Sequence, residues 1–219
     1  MSARALSGSF KAAFLLAAII GPSRAWSQGD LSFGVKSDRS AIVAALLRAP
    51  QQMVIGNPKG HDSVFEYYDY RCPFCRRMEP AMVKMRKHDP EMRLVLKPWP
   101  IFGSSSTYAA RVAIAASWQG KLSAVHEAFF TAKGPLDRQY IREIAERVGV
   151  DLKRLASDLR NRRQDLDQIL ASNAAEARAL ALKGTPGLVI GGQIVRGAVT
   201  FKDLQSLISE QYWHGTPSK

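Results

Sequence analysis

The stretch EYYDYRCPFCRRMEP, residues 66–80, decides how this chain is read. It holds both cysteines of the sequence, Cys72 and Cys75, separated by two residues. Two thiols within one helical turn serve as a structural staple, a metal clip or a redox centre, and each implies a different function. The staple is the weakest use of them, because closing so short a loop removes only about 2 kcal/mol of unfolded-chain entropy. A metal site normally recruits further Cys or His ligands. The histidines are His61, His88, His126 and His214, with no H-x3-5-H pair among them, so nothing in the sequence asks for a metal.

Redox chemistry fits the local pattern. SVFEYYDY, residues 63–70, has the β-branched and aromatic content of a buried strand. Pro73 sits where a helix tolerates proline best, at its first position. Phe74, Met78, Met82 and Met85 then share one helical face, which ends near His88, Asp89 and Pro90. Three helical residues advance about 4.5 Å, so the two sulfurs can reach each other. Cys72 falls at or just before the helix start, where free N–H groups and the macrodipole stabilise a thiolate. Arg71 and Arg76 add local positive charge. A stabilised thiolate leaves readily and makes the disulfide a stronger oxidant. Cys75, one turn inside the helix, is the more buried thiol and the resolving one.

Working outward, QQMVIGNPKGHD (residues 51–62) reads as a short strand and turn, and MRLVLKPWP (92–100) as a second core strand. Residues 104–182 read as almost wholly helical. Leu152, Leu155, Ala156 and Leu159 form one apolar stripe, continued by Ile169, Leu170, Asn173 and Ala177 on the next helix. Gly184 is placed to close the last of these helices. TPGLVIGGQIVRG (185–197) has two apolar runs around Gly191-Gly192, a hairpin signature. FKDLQSLISEQYW (201–213) is a closing amphipathic helix. The fold class is α/β, with a core interrupted by a helical insertion.

The chain has 219 residues, 46% of them apolar, enough for a sizeable core without cysteine staples. Residues 1–11 carry Arg4 and Lys11 and no acid, and residues 12–20 are an unbroken apolar run. Gly21 and Pro22 follow, then small residues before a cleavage site near Ala25, so residues 1–25 read as a secretory signal peptide. The apolar run is far short of the roughly 20 residues that span a bilayer. Removing Arg4, Lys11 and Arg24 lowers the formal charge from +12 to +9. The remaining cations are scattered among acids, with no nucleic-acid-binding motif, so a solvated basic surface is the reading and nucleic acid is not a partner. Residues 26–50 form a leader with a short helix over 40–48. Residues 51–103 are the first part of the core, 104–182 the helical insertion and 183–219 the second part of the core.

VFEYYDYRCPFC, LKPWPIFG and GTPGLVIGG, in that order and around a helical block, make the chain resemble the thioredoxin superfamily. More closely it resembles the exported DsbA-like thiol:disulfide oxidoreductases, over roughly residues 52–212. The resemblance implies a thioredoxin fold with an inserted helical subdomain, and neither cofactor nor metal. It implies that Cys72 is the exposed nucleophile and Cys75 the resolving cysteine. Thr185-Pro186 matches the family's cis-proline loop, which presents backbone groups to substrate. Glu66 matches a buried acid beneath the active site that assists proton movement at the resolving thiol, with Lys97 as its candidate partner. The residues between the cysteines, Pro73 and Phe74, depart from DsbA proper, which has histidine at the second position. Phe74 cannot donate a hydrogen bond, so a less oxidising pair is expected and the direction of electron flow stays open.

The resulting expectation is a periplasmic or otherwise secreted enzyme that forms disulfides in exported proteins and is reoxidised by a DsbB-like membrane partner. Its alternatives are an isomerase or reductase kept reduced by a DsbD-like partner, and a metal-handling CxxC module. The leader serves either as a homo-oligomerisation segment or as a helix packed on its own subunit.

Overall fold

The computed structural model describes residues 53–214 together with Ala41, Ala45 and Leu46, which are helical. The stretch expected to be a signal peptide, residues 1–25, and most of the expected leader lie outside the described residues. Strands β1 (Val54–Gly56), β2 (Asp62–Tyr68), β3 (Met92–Pro98), β4 (Gly187–Ile190) and β5 (Gln193–Arg196) form one sheet in the order β1-β3-β2-β4-β5. β2 runs parallel to β3 and antiparallel to β4, while β1 and β5 add antiparallel edges. All of β2 is buried, as a central strand covered on both faces must be. Val64, Glu66 and Tyr68 alternate with Phe65 and Tyr67 on the opposite face. Val64 and Tyr68 join the larger core, while Phe65 and Tyr67 pack with Leu46, Val95, Leu180 and Val189.

Helix α1 (Pro73–His88) links β2 to β3 and buries Cys75, Met78, Glu79, Met82 and Met85. Phe74, expected on that stripe, is 52% exposed. At the second helical position its side chain leans towards the free N-terminal end rather than onto a preceding turn. Between β3 and β4 lie α2 (Ser104–Ser117), α3 (Leu122–Thr131), α4 (Arg138–Arg147), α5 (Leu152–Asn161) and α6 (Arg163–Ala179). The alanine-rich α2 is buried on most sides, allowing its neighbours to approach closely. Asp137 caps α4 by accepting from Tyr140 N–H, and Asp151 caps α5 by accepting from Lys153 and Arg154 N–H. On α5 only Leu155 of the apolar stripe is fully buried. Helix α7 (Phe201–His214) packs beside α1. Among the described residues no helix is long and apolar enough to cross a membrane.

Gly184 does not close α6. Ala181 takes the left-handed conformation instead, with φ 53°. Leu182 N–H donates to Ala177 O at 2.9 Å and Ala181 N–H to Arg178 O at 2.9 Å, a Schellman termination. Burial of Leu182 in the smaller core selects this ending, so packing overrides the glycine signal. The β4–β5 hairpin does follow its signature: Gly191 and Gly192 both have positive φ, as a two-residue type I′ turn requires.

Left-handed alanine is strained by about 1 kcal/mol relative to glycine. Ala181→Gly is therefore expected to stabilise the protein by about that amount and raise Tm by about 2–4 °C, read by thermal and denaturant unfolding.

Candidate active site

β2 ends at a tight turn in which Cys72 N–H donates to Asp69 O at 3.0 Å. The buried Asp69 carboxylate accepts from the N–H groups of Arg71 (2.8 Å), Ile101 (2.7 Å) and Phe102 (3.0 Å), tying this turn to the loop after β3. Cys72 is the N-cap of α1 and Pro73 its first residue, needing no N–H there. Opposite, the Thr185–Pro186 peptide is cis, and the Cys72 thiol donates to Thr185 O at 3.1 Å.

Both cysteines are free thiols, yet their electrostatics diverge. Cys72 is held down at about 5 by the hydrogen bond from the Cys75 thiol, against burial, with help from Thr185 and the Cys75 and Phe74 N–H groups. Cys75 is pushed far up by burial, by donating to Cys72 and by the Glu66 carboxyl. Thr185 Oγ1 is buried with no partner, and it can donate once the Cys72 sulfur is an anion and no longer offers a proton to the carbonyl. Phe74 acts through its backbone, while its ring lies under the Arg77 guanidinium at 4.3 Å.

Several expected residues sit otherwise. Cys72 is 1% exposed rather than open, because the reduced sulfur turns inward onto Thr185 and Cys75. Arg71 and Arg76 are not what lowers Cys72; both are engaged with carbonyl groups. Arg71 donates to Phe102 O at 3.0 Å. Arg76 donates to Phe130 O (2.6 Å) and Ala132 O (2.8 Å) at the carboxyl end of α3, where a cation is favoured. Lys97 does not meet Glu66. In register with Tyr67, it lies on the other sheet face and pairs with Glu176 at 3.0 Å, where Tyr67 OH also donates at 2.9 Å.

Glu66 is fully buried with neither oxygen partnered, and burial followed by Glu79 raises its pKa well above the usual carboxyl value. Both causes favour its protonated form. Sequence reasoning missed what surrounds it. Glu79 lies 3.5 Å from Arg86 Nη1 and 3.4 Å from His126 Nε2. Tyr68 OH donates to Tyr70 OH (3.1 Å), which lies 3.2 Å from His126 Nδ1. Glu79 had a signal, four residues after Cys75 on the same helical face; His126 had none, since tertiary packing of α3 brings it in. Ligand atoms of Glu66, Glu79 and His126 lie within 4.8 Å of one another, the residues that could hold a cation. The Arg86 guanidinium already supplies positive charge in that pocket, which fits an ion-pair network better than a metal centre.

A buried strand–turn–helix with paired thiols of opposed acidity under a cis-proline loop defines a thioredoxin-fold dithiol protein. Residues 63–209 match the DSBA-like thioredoxin domain family, and the chain belongs to it. Solved relatives of this fold include an oxidoreductase. A thioredoxin-like oxidoreductase from Silicibacter pomeroyi DSS-3 is 34% identical with a TM-score of 0.74, covering 78% of this chain and 98% of that one. A periplasmic thioredoxin-like protein from Salmonella enterica serovar Typhimurium is 26% identical with a TM-score of 0.65, covering 78% and 95%. Among curated relatives, the Na(+)/H(+) antiporter NhaA 1 of Mycolicibacterium gilvum (strain PYR-GCK) is 28% identical over 147 residues, 66% of this chain. The matched part spans only 24% of that antiporter.

Thiolate absorbance of the reduced protein should titrate with a midpoint near pH 5, and Thr185→Val should move it upward. Because the folded Cys72 lies below its ordinary value of 9.0, its stabilisation of the reduced fold is complete above pH 9 and lost as pH falls through about 5. Denaturant unfolding of the reduced protein against Cys72→Ser should show that advantage shrinking across this window.

Proposed function

We propose that this protein is an exported thiol:disulfide oxidoreductase that works in the oxidising direction, forming disulfides in secreted polypeptides. The observation that carries the reading is the opposition between a Cys72 held down at about 5 and a Cys75 pushed up. Stabilising the reduced form makes the disulfide more oxidising. A value of about 5 falls between thioredoxin's of about 7 and DsbA's of about 3.5. The histidine absent at Phe74 is compensated by backbone N–H groups and the Cys75 thiol.

In the forward cycle a substrate thiolate attacks Cys72 Sγ of the disulfide, and the S–S bond breaks towards Cys75. The departing Cys75 sulfur takes a proton, for which the Glu66 carboxyl, whose protonated form burial favours, is the proposed source. A second substrate thiolate then attacks the substrate sulfur of the mixed disulfide and expels Cys72 as its stable thiolate. Two electrons have passed from substrate to enzyme, and a DsbB-like, quinone-linked membrane partner is the proposed acceptor. Exposed Phe74, Ile101 and Phe102 offer an apolar approach suited to unfolded substrates. Export is supported by the charged, apolar and small-residue succession of residues 1–25 and by likeness to a protein described as periplasmic.

A glutathione redox titration of residues 26–219 tests the direction. The expected potential lies above thioredoxin's of about −270 mV, towards DsbA's of about −120 mV; a value at the thioredoxin end would favour a reductase instead. Glu66→Gln keeps the size of the protonated side chain that burial favours, so folding stability should hardly change. Turnover should nevertheless drop by at least about tenfold, with a flattened pH profile, as loss of a proton donor demands. Unaltered alkylation of Cys72 in the same variant would place the defect at Cys75; undiminished turnover would remove Glu66 from the mechanism.

A further inference from the structure

Away from the thiols, α2, α4 and α5 enclose a concavity of about 480 Å³. Its floor is the α5 stripe, where Leu152 and Leu159 remain half-buried instead of being covered by another helix. Its rim carries four guanidinium groups, Arg111, Arg138, Arg142 and Arg160, while the acids Glu143 and Glu146 line the adjoining hollow on the other side of Arg142. Arg111 engages Asp167, and Arg138 stacks on the Tyr108 ring at 4.3 Å. Arg142 and Arg160 are exposed, with no ion pair or side-chain hydrogen bond among the described residues.

Cations gathered on one hollow repel each other unless an anion joins them. Guanidinium groups are also the donors best shaped for bidentate carboxylate binding. An apolar floor with a few convergent polar groups is the usual composition of a ligand site. The groove is continuous along the chain with the thiol site. Ser104, at its edge, lies two residues after exposed Phe102, and Asp69 ties the N–H groups of Ile101 and Phe102 to the turn preceding Cys72.

We propose that this groove docks an acidic segment of the polypeptide undergoing thiol exchange. Asp or Glu carboxylates bind Arg142 and Arg160, and an apolar side chain rests on Leu152 and Leu159. The inference rests on the oxidoreductase reading and adds a substrate class to it: exported chains with acidic, apolar-anchored stretches near their cysteines.

The test uses reduced two-cysteine peptides with no tail, an Asp/Leu/Glu tail or a Lys/Leu/Lys tail, oxidised by the disulfide form of the protein. In a second arm, a cysteine-free acidic peptide is followed by fluorescence anisotropy. The acidic tail should raise kcat/KM by about tenfold, the worth of one or two charge-assisted contacts, and the gain should fade in high salt. Arg142→Glu with Arg160→Glu should abolish both the gain and the binding while leaving the tail-less peptide's rate unchanged. Should charge reversal disturb folding, the Arg142→Gln, Arg160→Gln pair should show a partial loss. Oxidation of all three peptides at equal rates, or an acidic advantage that survives both double variants, overturns the groove alone. Binding that the variants remove, without oxidation of any peptide, upholds the groove and overturns the oxidase reading.

Discussion

Antiparallel pairing of Tyr67 with Gly187 is the constraint on which the active site depends. It aligns the end of β2, which leads into Cys72, with the start of β4, which follows Pro186. The two halves of the site are 113 residues apart in sequence and 3.1 Å apart at the Cys72–Thr185 hydrogen bond. The Leu182 side chain packs directly on this strand start, its Cδ1 lying 2.6 Å from where a Cβ at Gly187 would sit. Leu182 is in turn held by the Schellman ending of α6, so the end of the helical block packs against the strand start that follows Pro186. Asp69 performs the corresponding task on the other side, holding the loop after β3 against the turn before Cys72.

The chemistry then follows from unequal surroundings for two identical groups. Cys72 lies at a helix start, among donors that favour an anion. Cys75 lies one turn deeper, where burial and a neighbouring carboxyl oppose one. Each hydrogen bond to a charged group contributes about 1.5–3 kcal/mol, whereas the interval from thioredoxin to DsbA corresponds to about 7 kcal/mol. A few donors around one sulfur are therefore enough to move the protein across much of that interval. Backbone groups supply part of this set, which is why a phenylalanine between the cysteines is compatible with a depressed thiol.

Much of this was legible in the sequence because it depends on neighbours along the chain. Spacing and proline position place Cys72 at the cap and Cys75 inside the helix. Paired glycines specify the β4–β5 turn through their φ values. Glu66 was legible by resemblance, and its burial follows once β2 is the central strand. What misled were signals whose outcome depends on packing. Gly184 looked like the helix stop, but Leu182 needed the smaller core and Ala181 accepted the strain. Lys97 looked available to Glu66, but strand register sends their side chains to opposite faces. Arg71 and Arg76 looked like thiolate partners, but helix and loop carbonyls claimed them.

By itself the sequence determined the strand–CxxC–helix unit, the hairpin and the α/β class, because short-range sterics and periodicity act over a few residues. Tertiary structure alone decided that Cys72 rests on Thr185, that Glu79 and His126 surround Glu66, and that four arginines share one hollow. Those juxtapositions join residues tens of positions apart. Register and core packing set them, and no local pattern along the chain encodes either.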